Sequence, residues 1–147
     1  MKITYSKNIN AAYIYLLDTT LKVFETDSFE VLGQISFGSI NIDFSKEGYI
    51  LGFEILCAQE ILPQKLLESP INSKIKIDYE KSLNKVYVML IEVKEEEYIK
   101  KSVSFEIEGL LKFGDVYLDF DKNLKLVRFQ IAHADKLLPL KFLEIIS

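Results

Sequence analysis

The chain has 147 residues, 49% of them apolar and 12% aromatic, so it holds enough material for a real hydrophobic core and is not a disordered or low-complexity segment. Its net charge is −4, and Arg128 is the only arginine among 18 basic residues, which argues against a surface that grips phosphate or guanine in nucleic acid. The single cysteine, Cys57, leaves no internal disulfide and fits a reducing compartment. The N-terminus alternates like folded strands, and no apolar run approaches the roughly twenty residues that span a bilayer. These features predict a cytoplasmic protein with neither a membrane nor a nucleic-acid partner.

Taken in chain order, the first elements are two strands, Lys2–Tyr5 and Ala12–Leu17, around a Ser-Lys-Asn-Ile-Asn turn rich in turn formers. A variable segment, Asp18–Asp27, follows and reads in part as an edge strand. Gly38–Phe44 and Tyr49–Leu56 then form a hairpin across Ser45-Lys46-Glu47-Gly48. With four loop residues Phe44 faces Tyr49, Ile42 faces Leu51 and Ile40 faces Phe53. That period puts the apolar residues on one face and Ser39, Asn41, Asp43, Gly52 and Glu54 on the other. Ala58 to Leu67 reads as helical, with Pro63 tolerated only at a first helical turn, and returns Leu62, Leu66 and Leu67 to the sheet. A short polar linker, 69–73, follows.

The order of elements then begins again. KITYSKNINAAYIYLL at 2–17 lies over KIDYEKSLNKVYVMLI at 76–91, with seven of sixteen positions identical. Residues 29–67 lie over 105–143 with fifteen of thirty-nine identical, among them Gly33/Gly109, Phe37/Phe113, Gly38/Gly114, Asp43/Asp119, Phe53/Phe129 and Pro63/Pro139. Two ungapped blocks in one order predict a tandem duplication, with repeats at 1–68 and 74–147. The fold class expected is α+β, mostly β. It consists of two copies of a four-stranded antiparallel unit with a C-terminal helix, packed with pseudo-twofold symmetry into one compact body. The packing is expected because Tyr13 and Tyr15 sit opposite Ile14 and Leu16, and strands apolar on both sides are covered on both sides.

The elements Lys-Ile-x-Tyr … Ala-x-Tyr-Ile-x-Leu (Lys2–Leu16) and Ile-x-Ile-Asp-Phe-x-x-x-Gly-x-Ile-x-Gly-Phe-Glu-Ile-Leu-x-Ala (Ile40–Ala58) resemble the prokaryotic family named domain of unknown function 2283. The second copy departs from the pattern at Leu124, Arg128 and Gln130, where the first has Gly48, Gly52 and Glu54. The resemblance implies a small strand-rich fold with a C-terminal helix and no activity, so it assigns no catalytic residue and no cofactor.

Five groups are weak candidates for a polar site: Asp43, Glu54, Asp119, Cys57 and His133. Asp43 and Asp119 could bind a cation or act as acid and base, but a carboxylate before a tight turn more often accepts backbone N–H bonds there. Glu54 joins Asp43 and Asn41 in one polar cluster. Asp115, Tyr117, Asp119 and Gln130 surround Arg128 in the other, a pattern expected of a solvated sheet face with diagonal pairing. Cys57 and His133 hold equivalent positions, each after a core strand, and a thiol there is more often filler than nucleophile. Glu95-Glu96-Glu97 reads as a solvated, charge-guarded loop, and the glycines at 33, 38, 109 and 114 as turns and bulges. No catalytic residue, metal ligand or cofactor site is predicted. The function expected is a protein-interaction module with a protein partner. A narrower version is an immunity or antitoxin-like inhibitor, and the rival is a small-ligand protein or enzyme using carboxylates near Asp43 and Asp119. Whatever the function, it is expected where the copies differ.

Overall fold

The computed structural model describes residues 2–17, 21–30, 38–70, 75–109 and 111–147. The chain groups into two compact units, each built on one sheet. Gly33, Phe37 and linker residues 71–73, all singled out above, lie outside the described residues.

The first unit carries β1 (Lys2–Ser6), β2 (Ala11–Tyr15), β3 (Glu25–Glu30), β4 (Ser39–Phe44) and β5 (Ile50–Leu56). They form one antiparallel sheet in the order β1-β2-β5-β4-β3. The second unit repeats that order as β6-β7-β10-β9-β8, from β6 (Lys76–Glu80), β7 (Lys85–Met89), β8 (Lys101–Glu108), β9 (Phe113–Phe120) and β10 (Leu126–Ala132). The architecture is α+β and mostly β, with five strands per sheet rather than four. The fifth strands, β3 and β8, come from the ends of the variable segments and edge their sheets; β3 is mostly polar, while β8 alternates Val103, Phe105 and the fully buried Ile107 with polar residues.

The hairpin register differs from the expected one by two residues. Ile40 faces Ile55, Ile42 faces Phe53 and Asp43 faces Gly52, but Phe44 faces Ile50, so Leu51 is an extra residue in β5. The second sheet has the same bulge at Val127, between the pairs Asp119–Arg128 and Phe120–Leu126. The bulged carbonyls are used: Leu51 accepts the N–H groups of Leu16 and Leu17 at 2.9 and 3.2 Å, and Val127 that of Leu90 at 2.9 Å. Ile14, Ile40, Ile42, Phe44, Phe53 and Ile55 are fully buried, as are Val86, Val88, Val116, Phe129 and Ile131 in the second sheet. Ile40, Ile42, Phe44, Phe53, Val116 and Phe129 match the apolar faces read from the sequence, but the expected Tyr49 is only half-buried and Ile50 takes its place opposite Phe44.

The single helix expected after each sheet is two. In the first unit α1 (Ala58–Ile61) stops at Leu62 and α2 (Gln64–Glu68) starts after Pro63; in the second, α3 (Ala134–Leu137) stops at Leu138 and α4 (Leu140–Ile146) starts after Pro139. Clash with the proline ring drives the preceding leucine out of the helical region, to ψ 152° at Leu62 and 144° at Leu138. Leu62 and Leu66 are buried, while Leu67 is only half-buried. No described helix is long and apolar enough to cross a membrane.

Gly38 and Gly114 serve close packing rather than turns. A Cβ at either would lie within 2.6 Å of a helix side chain, Ile61 or Leu137, and within 2.9 Å of a strand carbonyl. The hairpin turns hold the helix starts. Asn10 and Asn84 both take left-handed backbone with φ 51°, a conformation asparagine tolerates. Their carbonyls accept the N–H groups of Ala58 and Ala134 at 2.9 and 3.0 Å. Their side-chain oxygens accept those of Gln59 and Asp135 at 2.9 and 3.1 Å, satisfying amides that a helix start leaves open.

Replacing Asn10 by alanine removes the Gln59 hydrogen bond and puts into left-handed backbone a side chain that lacks asparagine's tolerance of it. These effects sum to roughly 2 kcal/mol of lost stability. Asn10→Gly keeps the conformation cheap and should lose about half as much. Urea unfolding of both variants, followed by circular dichroism, checks the pair; equal losses would show that the backbone conformation is irrelevant.

Candidate functional site

Asp43 and Asp119 occupy one position in the two sheets, each in the fourth strand of its unit, facing an edge strand on one side and the bulged strand on the other. In both units the hydroxyl residue opposite on the edge strand donates to the carboxylate, Thr26 to Asp43 at 2.7 Å and Ser102 to Asp119 at 2.6 Å. Among the described residues neither carboxylate accepts turn backbone in the way the sequence suggested; their donors are side chains of neighbouring strands. That task falls to Asp121, whose Oδ1 accepts the N–H groups of Asn123 and Lys125 at 2.9 and 3.0 Å.

The second donor distinguishes the units. In the first, Gly52 faces Asp43, and the Tyr13 ring lies so close that a Cβ on Gly52 would meet its Cε1 at 2.6 Å. The Tyr13 hydroxyl therefore reaches Asp43 and donates at 2.6 Å. Burial and then the Asp43 carboxylate push the phenol well above its ordinary pKa, since both oppose a second negative charge. Glu54 is apart from this bond and accepts from Asn41 at 2.9 Å, directly across the strand pair.

In the second unit Arg128 stands where Gly52 stands in the first. Its Nε donates to Asp119 at 2.6 Å, Gln130 donates to the same oxygen at 2.7 Å, and Asp119 is fully buried. This is a direct cross-strand pair inside the protein, not the diagonal pairing on a solvated face expected from the sequence. With its place taken, Tyr87 lies beneath the guanidinium, 5.3 Å from ring centre to Cζ, and its hydroxyl donates to Glu80 at 3.2 Å. Burial and then Glu80 raise the Tyr87 pKa.

Arg128 has more donors than Asp119 can use. Its two terminal nitrogens donate to Oε1 and Oε2 of Glu96 at 2.8 and 3.1 Å, a bidentate pair from the short 3₁₀ turn Glu96–Tyr98. Burial opposes the arginine's charge, but the bonds to Glu96 and Asp119 outweigh it and hold the group firmly protonated. The Glu96 carboxyl is lowered chiefly by its bonds from Arg128, with Lys85 a smaller attraction. Sequence reasoning read Glu96 as one of three solvated glutamates; the available signal was a lone arginine on a sheet face with acids in the adjoining connection. Lys85 completes the cluster, 3.2 Å from Gln130 and 5.0 Å from the Tyr117 ring centre.

Cys57 and His133 each hold the single left-handed residue between a strand and a helix, with φ 57° and 53°. Cys57 is half-buried. His133 is exposed, its ring 5.2 Å from Phe113 and its Nε2 3.9 Å from Asp115. Nothing in the structure explains why one position carries a thiol and the other an imidazole. Among the described residues no group of three or more His, Cys, Asp or Glu is placed to hold a metal ion. A cleft of about 510 Å3 lies in the second unit between the β7–β8 connection and the β9–β10 turn, lined by Glu92, Lys94, Tyr98, Lys100, Asp121 and Lys122 among others.

Residues 2–59 match the sequence model of a family described as protein of unknown function (DUF2283). The matched stretch runs from β1 through β5 into α1, the part of the chain that carries Tyr13, Thr26, Asp43 and Glu54. No curated protein and no solved structure matches the chain.

Removing Asp119 leaves the buried Nε edge of Arg128 unpaired, with Glu96 still on its exposed edge, whereas removing Asp43 frees only neutral hydroxyls at a half-buried position. Asp119→Ala should cost about 3–5 kcal/mol and Asp43→Ala about 1–2 kcal/mol, measured by urea unfolding. Similar losses would contradict the unequal burial. The Glu96 carboxyl, lowered in the folded state, adds stability that is complete above its ordinary value of 4.5 and is lost as pH falls below it. Thermal unfolding between pH 6 and about 3 should therefore fall less steeply for Glu96→Gln than for the unaltered chain.

Proposed function

We propose that the chain is a tandem duplication of one β unit, related throughout to the family matched by its first half, and that it works as a non-catalytic protein-interaction module. The common strand order, the paired bulges at Leu51 and Val127, and the left-handed residues Asn10/Asn84 and Cys57/His133 support the duplication. Packing of the copies about a pseudo-twofold axis, and repeat limits of 1–68 and 74–147, rest on the sequence pattern.

The observation that carries the interaction reading is the approach to β3. Leu21, Val23 and Phe24 are 49, 51 and 68% exposed within four residues, and the Phe24 N–H donates to the Phe44 carbonyl at 2.8 Å, so this segment prolongs an edge strand. Exposed apolar side chains beside a sheet edge suit a partner that adds its own extended segment. Asp43, Glu54 and Asp119 are read as scaffold, because their oxygens are engaged by neighbouring strands. This reading favours a module over a carboxylate enzyme. The narrower immunity or antitoxin-like version rests on the net charge of −4 and requires a basic partner.

Affinity capture at physiological salt with the tagged full chain should recover one stoichiometric protein that Phe24→Asp fails to retain. Recovery of no such protein, or equal retention by the variant, refutes the reading. A basic partner released by raised salt would select the inhibitor version.

A further inference from the structure

We propose that Arg128 forms a carboxylate-binding fork in the second unit, that Glu96 fills this fork from within the same chain, and that an external carboxylate can take its place. The fork is built before any ligand arrives. The arginine side chain is only 7% exposed, Asp119 fixes its Nε edge at 2.6 Å, and the Tyr87 ring supports the guanidinium plane. Asp119 is held in turn by Ser102 and Gln130. The edge left over is a planar pair of N–H donors, the geometry that matches a carboxylate. Lys85, tethered to Gln130, adds a second positive charge on this side.

The occupant differs in kind from the site. Glu96 is 78% exposed and sits on the connection between β7 and β8, whose regular structure is one 3₁₀ turn. The two ends of that connection are fastened to the sheet independently, by Leu90 N–H to the Val127 carbonyl and Lys100 N–H to the Phe120 carbonyl, both at 2.9 Å. Glu96 can therefore leave without unfastening the sheet. A buried fork facing an exposed acid on a connection with little regular structure is the arrangement expected of a site occupied in cis. The first unit has Gly52 at the equivalent position and hence no guanidinium, so the site is particular to the second copy.

Because Arg128 is the only arginine, its side-chain nitrogen signals in a 15N-labelled sample report on the fork alone. Sodium acetate titrated into full-length Glu96→Ala should shift these signals to saturation, and sodium chloride at equal ionic strength should leave them in place. The unaltered chain should need on the order of tenfold more acetate, because a tethered competitor acts at high effective concentration. Glu96→Gln, which keeps the side-chain length, should fall between them. Equal responses to acetate and chloride, or equal acetate midpoints in the unaltered chain and Glu96→Ala, would overturn the proposal. Amide signals outside the β7–β8 connection, unchanged in both variants, would confirm that the fold is retained.

Discussion

Each sheet is organised around one carboxylate on the face away from its apolar core. Asp119 shows the constraint in its strongest form, because it is fully buried and an ionised carboxyl there must be met by donors on every side. Ser102 from the edge strand and Gln130 and Arg128 from the bulged strand supply them. The cation needed for charge balance has terminal donors that Asp119 cannot satisfy. Those donors draw in Glu96, and Glu96 fixes the course of the β7–β8 connection. One buried charge thus dictates a cross-strand pair, then a bidentate pair, then the path of a loop.

The first unit meets the same requirement without a cation. Asp43 is half-buried and keeps some solvent, so two hydroxyls suffice, Thr26 in the place of Ser102 and Tyr13 reaching over Gly52. The exchange of Gly52 for Arg128 explains more than its own position. A side chain there is incompatible with the ring position of Tyr13, so the corresponding Tyr87 becomes a floor for the guanidinium and turns its hydroxyl to Glu80.

Much of this scaffold was legible in the sequence, because burial writes a period into it. The alternation in Ile40, Ile42, Phe44 and in Val116, Leu118, Phe120 identified the core faces, and the matched asparagines fell in turns. The bulges at Leu51 and Val127 were not legible, since an extra apolar residue in an apolar run leaves the pattern intact. β3 was faint because Phe29 is its one large apolar residue, whereas β8 does alternate, Val103, Phe105 and the buried Ile107 against polar neighbours, and was open to reading. The division of each helix followed from Pro63 and Pro139, but its cause is the residue before the proline, which a first-turn proline argument overlooks. Of the candidate site, the nearness of Asp119 to Arg128 was legible, but their direct buried pairing was not, because the bulge shifts the register, and Glu96 was not legible at all. It lies thirty-two residues from its partner, in a segment whose composition alone signals solvent.

The contrast between the units bears on why the charged version exists. Breaking a buried ion pair is costly, yet forming one adds little net stability, because desolvation offsets most of the attraction. Tyr13 and Gly52 show that a neutral solution fits the same strand geometry with the same aspartate. The Arg128 solution gains little as a way of closing the sheet face, and it leaves half of a guanidinium's donors to an acid on a connection. Stability alone does not account for that arrangement. A fork that is fixed on its buried side and exchangeable on its exposed side does, and it lies at a position where the two copies differ.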